Sequence, residues 1–171
     1  AASDQALPRV LELTRAAFRR NPTGDFSWLP LISLIKGRRL RRALHGTLDA
    51  LLGQDAAQAD LADLWKNCFV VATNYSQARE EVLVQGALSP VLRASTAIPG
   101  ALPPVVMHGD LLCDGGSFNN FPVDLMRARR GIGTVLGADL SASKARRLDF
   151  DEVPGPWALL RDRLRARKAR R

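Results

Sequence analysis

The residues best placed to do chemistry lie in one stretch, Asp110-Leu-Leu-Cys-Asp-Gly-Gly-Ser-Phe-Asn-Asn-Phe-Pro-Val-Asp124. A short apolar run, Leu111 to Cys113, reads as a strand that delivers the carboxylate of Asp114 into a turn containing Gly115 and Gly116. Two amides follow, Asn119 and Asn120, and then Pro122, whose fixed φ suits the start of a helix. Glycines that take φ > 0 let backbone approach the carboxylate closely. The amides can hold such a loop by side-chain hydrogen bonds. This is a device for presenting one acid or base at a strand's end. Asp, Asn and Gly are also what turns use to cap their own backbone groups, so local chemistry leaves both readings open.

Other chemistries find little support. There is no phosphate-binding glycine loop, no dinucleotide fingerprint and no His-Glu-x-x-His. Asp110, Asp114 and Asp124 do not follow the spacing of a calcium loop. Two histidines and two cysteines are a poor basis for a zinc site. No metal and no cofactor is expected. His108 stands two residues before Asp110 and is a formal candidate for a general base, but a hairpin loop accounts for it better. Gly115-Gly-Ser117-Phe-Asn119 has Asn where a nucleophile elbow needs glycine, so Ser117 is rejected as a nucleophile.

The chain of 171 residues is long enough for one domain with a sizeable core. Cys68 and Cys113 each sit in an apolar run and read as buried free thiols in a reducing compartment. No stretch resembles a signal peptide or a spanning helix. The expected location is cytoplasmic, with peripheral contact at the inner face of a membrane. The net charge of +8 is concentrated in two places. Lys36, Arg38, Arg39, Arg41 and Arg42 fall in one stretch with no negative charge, and 161–171, in the basic tail 157–171, is the other. Anionic membrane is a natural partner for such patches. Neither patch interleaves aromatics or carries a nucleic-acid fold signature, so no nucleic acid is expected as a specific partner.

The elements that must position Asp114 follow from periodicity. Asp4 to Arg20 has apolar residues at spacings of three and four, which predicts a helix stopped by Asn21-Pro22. Gly37 to Leu52 carries the stripe Leu40, Ala43, Leu44, Thr47, Leu48, Leu51, with Gly53 as its C-terminal stop. The arginines at its start oppose the helix dipole, which favours a contact role for them. Cys68 to Thr73 reads as a strand covered on both faces, and Glu81 to Gln85 as a second strand. Pro90 to Ser95 predicts one or two helical turns, Val123 to Arg130 a short helix, and Gly133 to Asp139 a last buried strand. The loop 141–156 is punctuated by proline. Alternation of strands and helices predicts an α/β fold with a largely parallel central sheet.

Two spaced blocks add a family resemblance. Arg93-Ala-Ser-Thr-Ala-Ile-Pro-Gly-Ala-Leu-Pro-Pro-Val105, followed by the Asp110 to Val123 stretch, resembles patatin-like phospholipases. There an Ala-Ser-x-Ala-x-Pro-x-x-Phe-Pro-Pro block precedes an Asp-Gly-Gly or Asp-Gly-Ala turn. Leu102 stands where the family often has Phe. Asn21-Pro-Thr-Gly-Asp-Phe26 and the following Leu29 to Leu40 further resemble the bacterial branch related to neuropathy target esterase.

The resemblance implies a three-layer α/β fold, incomplete in this chain, and carboxylic ester hydrolysis by a serine–aspartate dyad. Phospholipid or lysophospholipid would be the substrate. Asp114 would be the dyad base, with Gly115, Gly116, Asn119 and Asn120 forming its loop. Without a histidine, the carboxylate must take the serine proton directly. A fully solvated aspartate is a weak base, so partial desolvation is expected. No residue here maps to the nucleophile elbow or the glycine-rich oxyanion loop. Residues 1–171 are therefore expected to be the C-terminal part of a hydrolase domain, inactive alone, with the serine in the upstream part of the same polypeptide. The competing reading is a non-catalytic basic α/β module that binds anionic membrane or nucleic acid through 36–42 and 161–171.

Overall fold

Two hairpins joined by one helix carry the site. The computed structural model describes residues 7–19, 21–28, 32–53, 56 and 58–139. The chain divides into two compact units, Ala1–Gly137 and Ala138–Arg171, and every helix and strand among the described residues lies in the first. The loop 141–156 and the basic tail 157–171 fall outside the described residues.

Strands β1 (Val70–Asn74) and β2 (Arg79–Leu83) form the first hairpin. Strands β3 (Val105–Met107) and β4 (Asp110–Asp114) form the second. His108 and Gly109 connect β3 to β4, with φ of 52° and 87°. Two consecutive residues of positive φ give the turn whose twist suits a tight antiparallel hairpin. His108 is thereby explained as a turn residue. Helix α3 (Leu88–Thr96) leaves β2 at one edge of the sheet and returns the chain to β3 at the other. β1 and β4 meet in the middle with Ala72 opposite Asp114 and Asn74 opposite Leu112, so the order is β2-β1-β4-β3.

Helices and strands share the fold as the α/β reading expects, but the described sheet is antiparallel throughout, not parallel. The connections explain the two outer pairs. Parallel neighbours need a crossover of about a dozen residues, whereas each hairpin here turns within a few. The last strand expected over Gly133 to Asp139 is also absent. These residues pair with no described strand, and Leu136 is 93% exposed. An apolar run becomes a strand only where a neighbour offers its hydrogen bonds.

Four consecutive residues of β1, Val71 to Asn74, are buried, so the central strand is covered on both faces. Ala72, Leu112 and Val105 pack with Ala94 of α3. Beside them Val91 and Leu88 of α3 pack with Leu61, against which Leu48 and Val70 also lie. Val91 is fully buried, a contribution of order 1.5–3 kcal/mol for such a side chain. Helix α3 is thus clamped to the sheet along its whole length.

Two further helices flank this centre. α1 (Leu7–Arg19) and α2 (Arg38–Leu52) form where the periodicity places them, and Gly53 ends α2 with its N–H on Asp49 O at 3.0 Å. No residue of either helix is fully buried. His45 of α2 reaches α3, its Nε2 2.7 Å from Ser89 Oγ. Gly37, the residue before α2, has φ 72° and supplies no side-chain cap. Asp25 caps the helix from a distance. Its Oδ2 accepts from the N–H groups of Arg38 (2.7 Å) and Arg39 (3.1 Å), and Lys36 donates its N–H to Asp25 O at 2.8 Å. A carboxylate on these exposed amides offsets the unfavourable arginines of the first turn.

Candidate active site

Asp114 ends β4, and the chain then turns sharply through a 3-10 turn, Gly115–Ser117. Three contacts hold its backbone. Its N–H donates to Ala97 O at the end of α3 (3.0 Å), its carbonyl accepts from Thr73 Oγ1 (2.8 Å), and its pairing with Ala72 fixes the strand register. The carboxylate itself accepts from Gly116 N–H at 2.7 Å through Oδ1. Among the described residues Oδ2 takes no hydrogen bond, which leaves one oxygen for another group. The residue is half-buried.

The glycines serve close approach rather than positive φ. Neither Gly115 nor Gly116 is in the left-handed region. This corrects the expectation, and the reason is steric. A Cβ on Gly115 would collide with the carbonyl oxygen of Val71 and lie 2.8 Å from its carbon. A Cβ on Gly116 would meet Asn120 Oδ1 at 2.9 Å and Asp114 Oδ1 at 3.0 Å. The turn is therefore pressed onto β1 on one side and wrapped around the carboxylate on the other.

Asn119 fastens the far side of the turn. Its N–H reaches Gly115 O at 2.9 Å, and its Nδ2 donates to Glu80 Oε2 and Asp124 Oδ1, both at 3.1 Å. It thereby ties the turn to β2 and to α4 (Val123–Arg127). The Asn119 amide, first, holds the Asp124 carboxyl below the usual aspartate range, with backbone N–H groups acting the same way. Asp110 is committed elsewhere, accepting from Asn74 Nδ2 (2.8 Å) and Gln77 Nε2 (2.6 Å). Of the three aspartates, Asp114 alone lines the cleft beside the turn.

That cleft has a volume of about 520 Å³. Cys68 to Val71, Leu92 and Ser95 of α3, Asp114 to Gly116, and Asn119 and Asn120 line it, with Pro122 and Met126 at α4. Asp114 and the four residues expected to form its loop thus line one cleft, while the five basic residues do not. Ser117 is exposed in the turn.

One of the two cysteines departs from expectation. Cys113 is buried, and burial, with the neighbouring Asp114 charge second, pushes its thiol pKa up. Cys68 is exposed, because the strand begins only at Val70 and leaves Cys68 in the loop at the cleft mouth. Among the described residues no group of histidines, cysteines and carboxylates could hold a metal ion.

The basic run is separate from the turn. Lys36, Arg38, Arg39, Arg41 and Arg42 are all exposed. The two ion pairs among the described residues, Arg9–Glu12 and Arg79–Glu81, involve none of them. Arg93 of α3 extends the positive region inward. Burial, and then the charge of Arg41, lower its pKa. Among the described residues no helix is long and apolar enough to cross a membrane.

Sequence reading missed Thr73, Glu80, Ala97 and Asp25 as supports. Ala97 acts through its carbonyl, which no side chain reveals. The other three contact partners far along the chain, and only the charged or polar side chain itself was visible.

Residues 3–127, a span that contains Asp114 and its turn, match the profile of the family described as patatin-like phospholipase. A lysophospholipase NTE1 of Candida glabrata is 29% identical over 138 residues, 80% of this chain and 7% of that protein. The human patatin-like phospholipase domain-containing protein 6 is 32% identical over 142 residues, 81% of this chain and 10% of that protein. A lysophospholipase NTE1 of Saccharomyces cerevisiae is 28% identical over 137 residues, 79% of this chain and 8% of that protein. The chain therefore corresponds to a tenth or less of the length of these relatives.

Proposed function

The chain belongs to the patatin-like phospholipase family, and from that premise we propose that Asp114 is the base of a serine–aspartate dyad in a lipid acyl-ester hydrolase. The observation that supports it most directly is the carboxylate at the end of β4. Oδ1 is held by Gly116 N–H at 2.7 Å, while Oδ2 is free of hydrogen bonds among the described residues beside a cleft of about 520 Å³. A carboxylate fixed by one oxygen presents the other in a set direction, as direct proton abstraction from a hydroxyl requires.

In this proposal the nucleophilic serine and the oxyanion donors come from the upstream part of the same polypeptide. Oδ2 of Asp114 takes the hydroxyl proton as the serine oxygen bonds to the acyl carbon. The proton passes to the departing alcohol of the phospholipid or lysophospholipid. Water then attacks the acyl-enzyme, giving its proton to Asp114, and the fatty acid leaves as the serine is reprotonated. Gly115 and Gly116 admit the turn to β1, and Asn119 keeps it from swinging away. The run Lys36–Arg42 is proposed to rest against anionic lipid, each cation adding about 1 kcal/mol at such a surface.

The test is to express the full open reading frame and follow hydrolysis of a fluorogenic acyl ester and of a lysophospholipid. Asp114→Asn, nearly the same size, should fold and lose about 100- to 10,000-fold in rate. Full activity in that variant would overturn the assignment. Residues 1–171 by themselves should be inactive.

A further inference from the structure

The hydrolytic proposal leaves one surface unused. Between α1 and α2 the chain doubles back, with Phe26 and Ile35 in an antiparallel bridge and Ser27 N–H on Leu34 O at 2.8 Å. Four of its described apolar side chains are exposed. Trp28 is 95% exposed, Ile32 74%, Phe26 71% and Leu34 58%, while Ser33 is buried with its hydroxyl on Ile35 O at 2.8 Å. A hairpin that buries its serine and exposes its tryptophan inverts the usual partition, and clustered exposure of this kind marks a contact surface.

Positive charge adjoins it directly. Lys36, Arg38 and Arg39 follow the hairpin, exposed and outside the ion pairs of the described residues. The carboxylate nearest in sequence, Asp25, is turned to the backbone N–H groups of Arg38 and Arg39. Apolar and aromatic groups beside unpaired cations are what the boundary between head groups and acyl chains accommodates. A protein partner for so basic a rim would need a matching acidic face. An anionic bilayer supplies both halves.

The hairpin is also fastened to the site. Leu34 and Ile35 donate their N–H groups to Gly100 O and Ala101 O, both at 2.9 Å, and in the same segment Ala97 O accepts from Asp114 N–H at 3.0 Å. The short stretch 97–101 thus links the exposed hairpin to the residue that carries the carboxylate.

We propose that the hairpin of Phe26, Trp28, Ile32 and Leu34, with Lys36, Arg38 and Arg39 behind it, is an interfacial anchor that inserts into an anionic lipid surface. It rests on the reading that the basic run meets anionic lipid, and it adds an apolar half that salt does not screen. Binding should therefore keep a salt-resistant component.

The test uses the product of the full open reading frame, co-sedimented with vesicles of phosphatidylcholine containing phosphatidylserine. The pair Phe26→Ser and Trp28→Ser should weaken binding by about a hundredfold, roughly tenfold per aromatic side chain. Val106→Ser, an exposed apolar residue on β3, should leave it unchanged. Arg38→Gln with Arg39→Gln should cost roughly fivefold per charge and only at low salt. Tryptophan emission should shift to the blue on adding vesicles, and Trp28→Phe should abolish that shift while binding persists. Unchanged binding in the aromatic pair, with loss only in the arginine pair, overturns insertion and leaves the electrostatic contact standing. Absence of any binding by the parent chain overturns both.

Discussion

Gly115 lies so close to the carbonyl of Val71 that no Cβ fits between the turn and β1. The contact sets the height at which Asp114 leaves the sheet, since the turn can neither rise nor carry a side chain there.

Gly115→Ala should accordingly lower stability by about 1–3 kcal/mol, the usual cost of overpacking against unyielding backbone. Gly116→Ala meets only the side-chain oxygens of Asn120 and Asp114 and should cost less in stability while displacing the carboxylate. Urea unfolding of both variants, beside activity of the full-length protein, separates the two effects. Equal stability losses would contradict the steric account.

Asp25 caps α2 from outside the helix. Asp25→Ala should cost about 1 kcal/mol, within the range for lost N-caps, and Asp25→Asn should recover part of it through its remaining oxygen. Thermal unfolding monitored at helical wavelengths reads this directly. No change in Asp25→Ala would show that the arginine-rich start needs no cap.

Asn119 donates to Asp124 and lowers its pKa in the folded chain. A carboxyl depressed on folding contributes stability above its unfolded pKa of about 3.9. That stability is lost as pH falls through the lower folded value. Asn119→Ala should move the Asp124 titration up toward the ordinary value, as carbon-detected NMR of the carboxyl would show. An unmoved titration would remove Asn119 as the cause.

The two thiols should separate cleanly. Alkylation of the native chain should label Cys68 and spare Cys113 until the chain unfolds. Cys113 is protected both by access and by a raised pKa, to which burial contributes most and Asp114 next. Mass spectrometry after a brief iodoacetamide pulse decides it. Equal labelling would mean that β4 is not closed over Cys113.

Much of this protein could be read from residue order alone, wherever a short-range rule applied. Apolar spacing of three and four set α1 and α2, with Gly53 as a stop. The paired turn residues His108 and Gly109 fit a hairpin. The Pro-rich block before Asp-Gly-Gly pointed to Asp114 and to the family. Each of these signals is carried by neighbours in sequence, which is why it survives without a structure.

What the tertiary structure decided are relations between distant residues. The direction of the sheet depended on which strands meet, and β1 meets β4 antiparallel although residues 75–109, with β2, α3 and β3, lie between them. The role of Gly115 depended on Val71, that of Asn119 on Glu80, and the cap of α2 on Asp25. The apolar run 133–139 joins no described strand, because strand formation needs a neighbour's hydrogen bonds as well as hydrophobicity. Cys68 and Cys113 have similar apolar surroundings in sequence, yet one is exposed and the other closed in. Burial is a property of what packs on a residue from elsewhere, and sequence order by itself does not determine that.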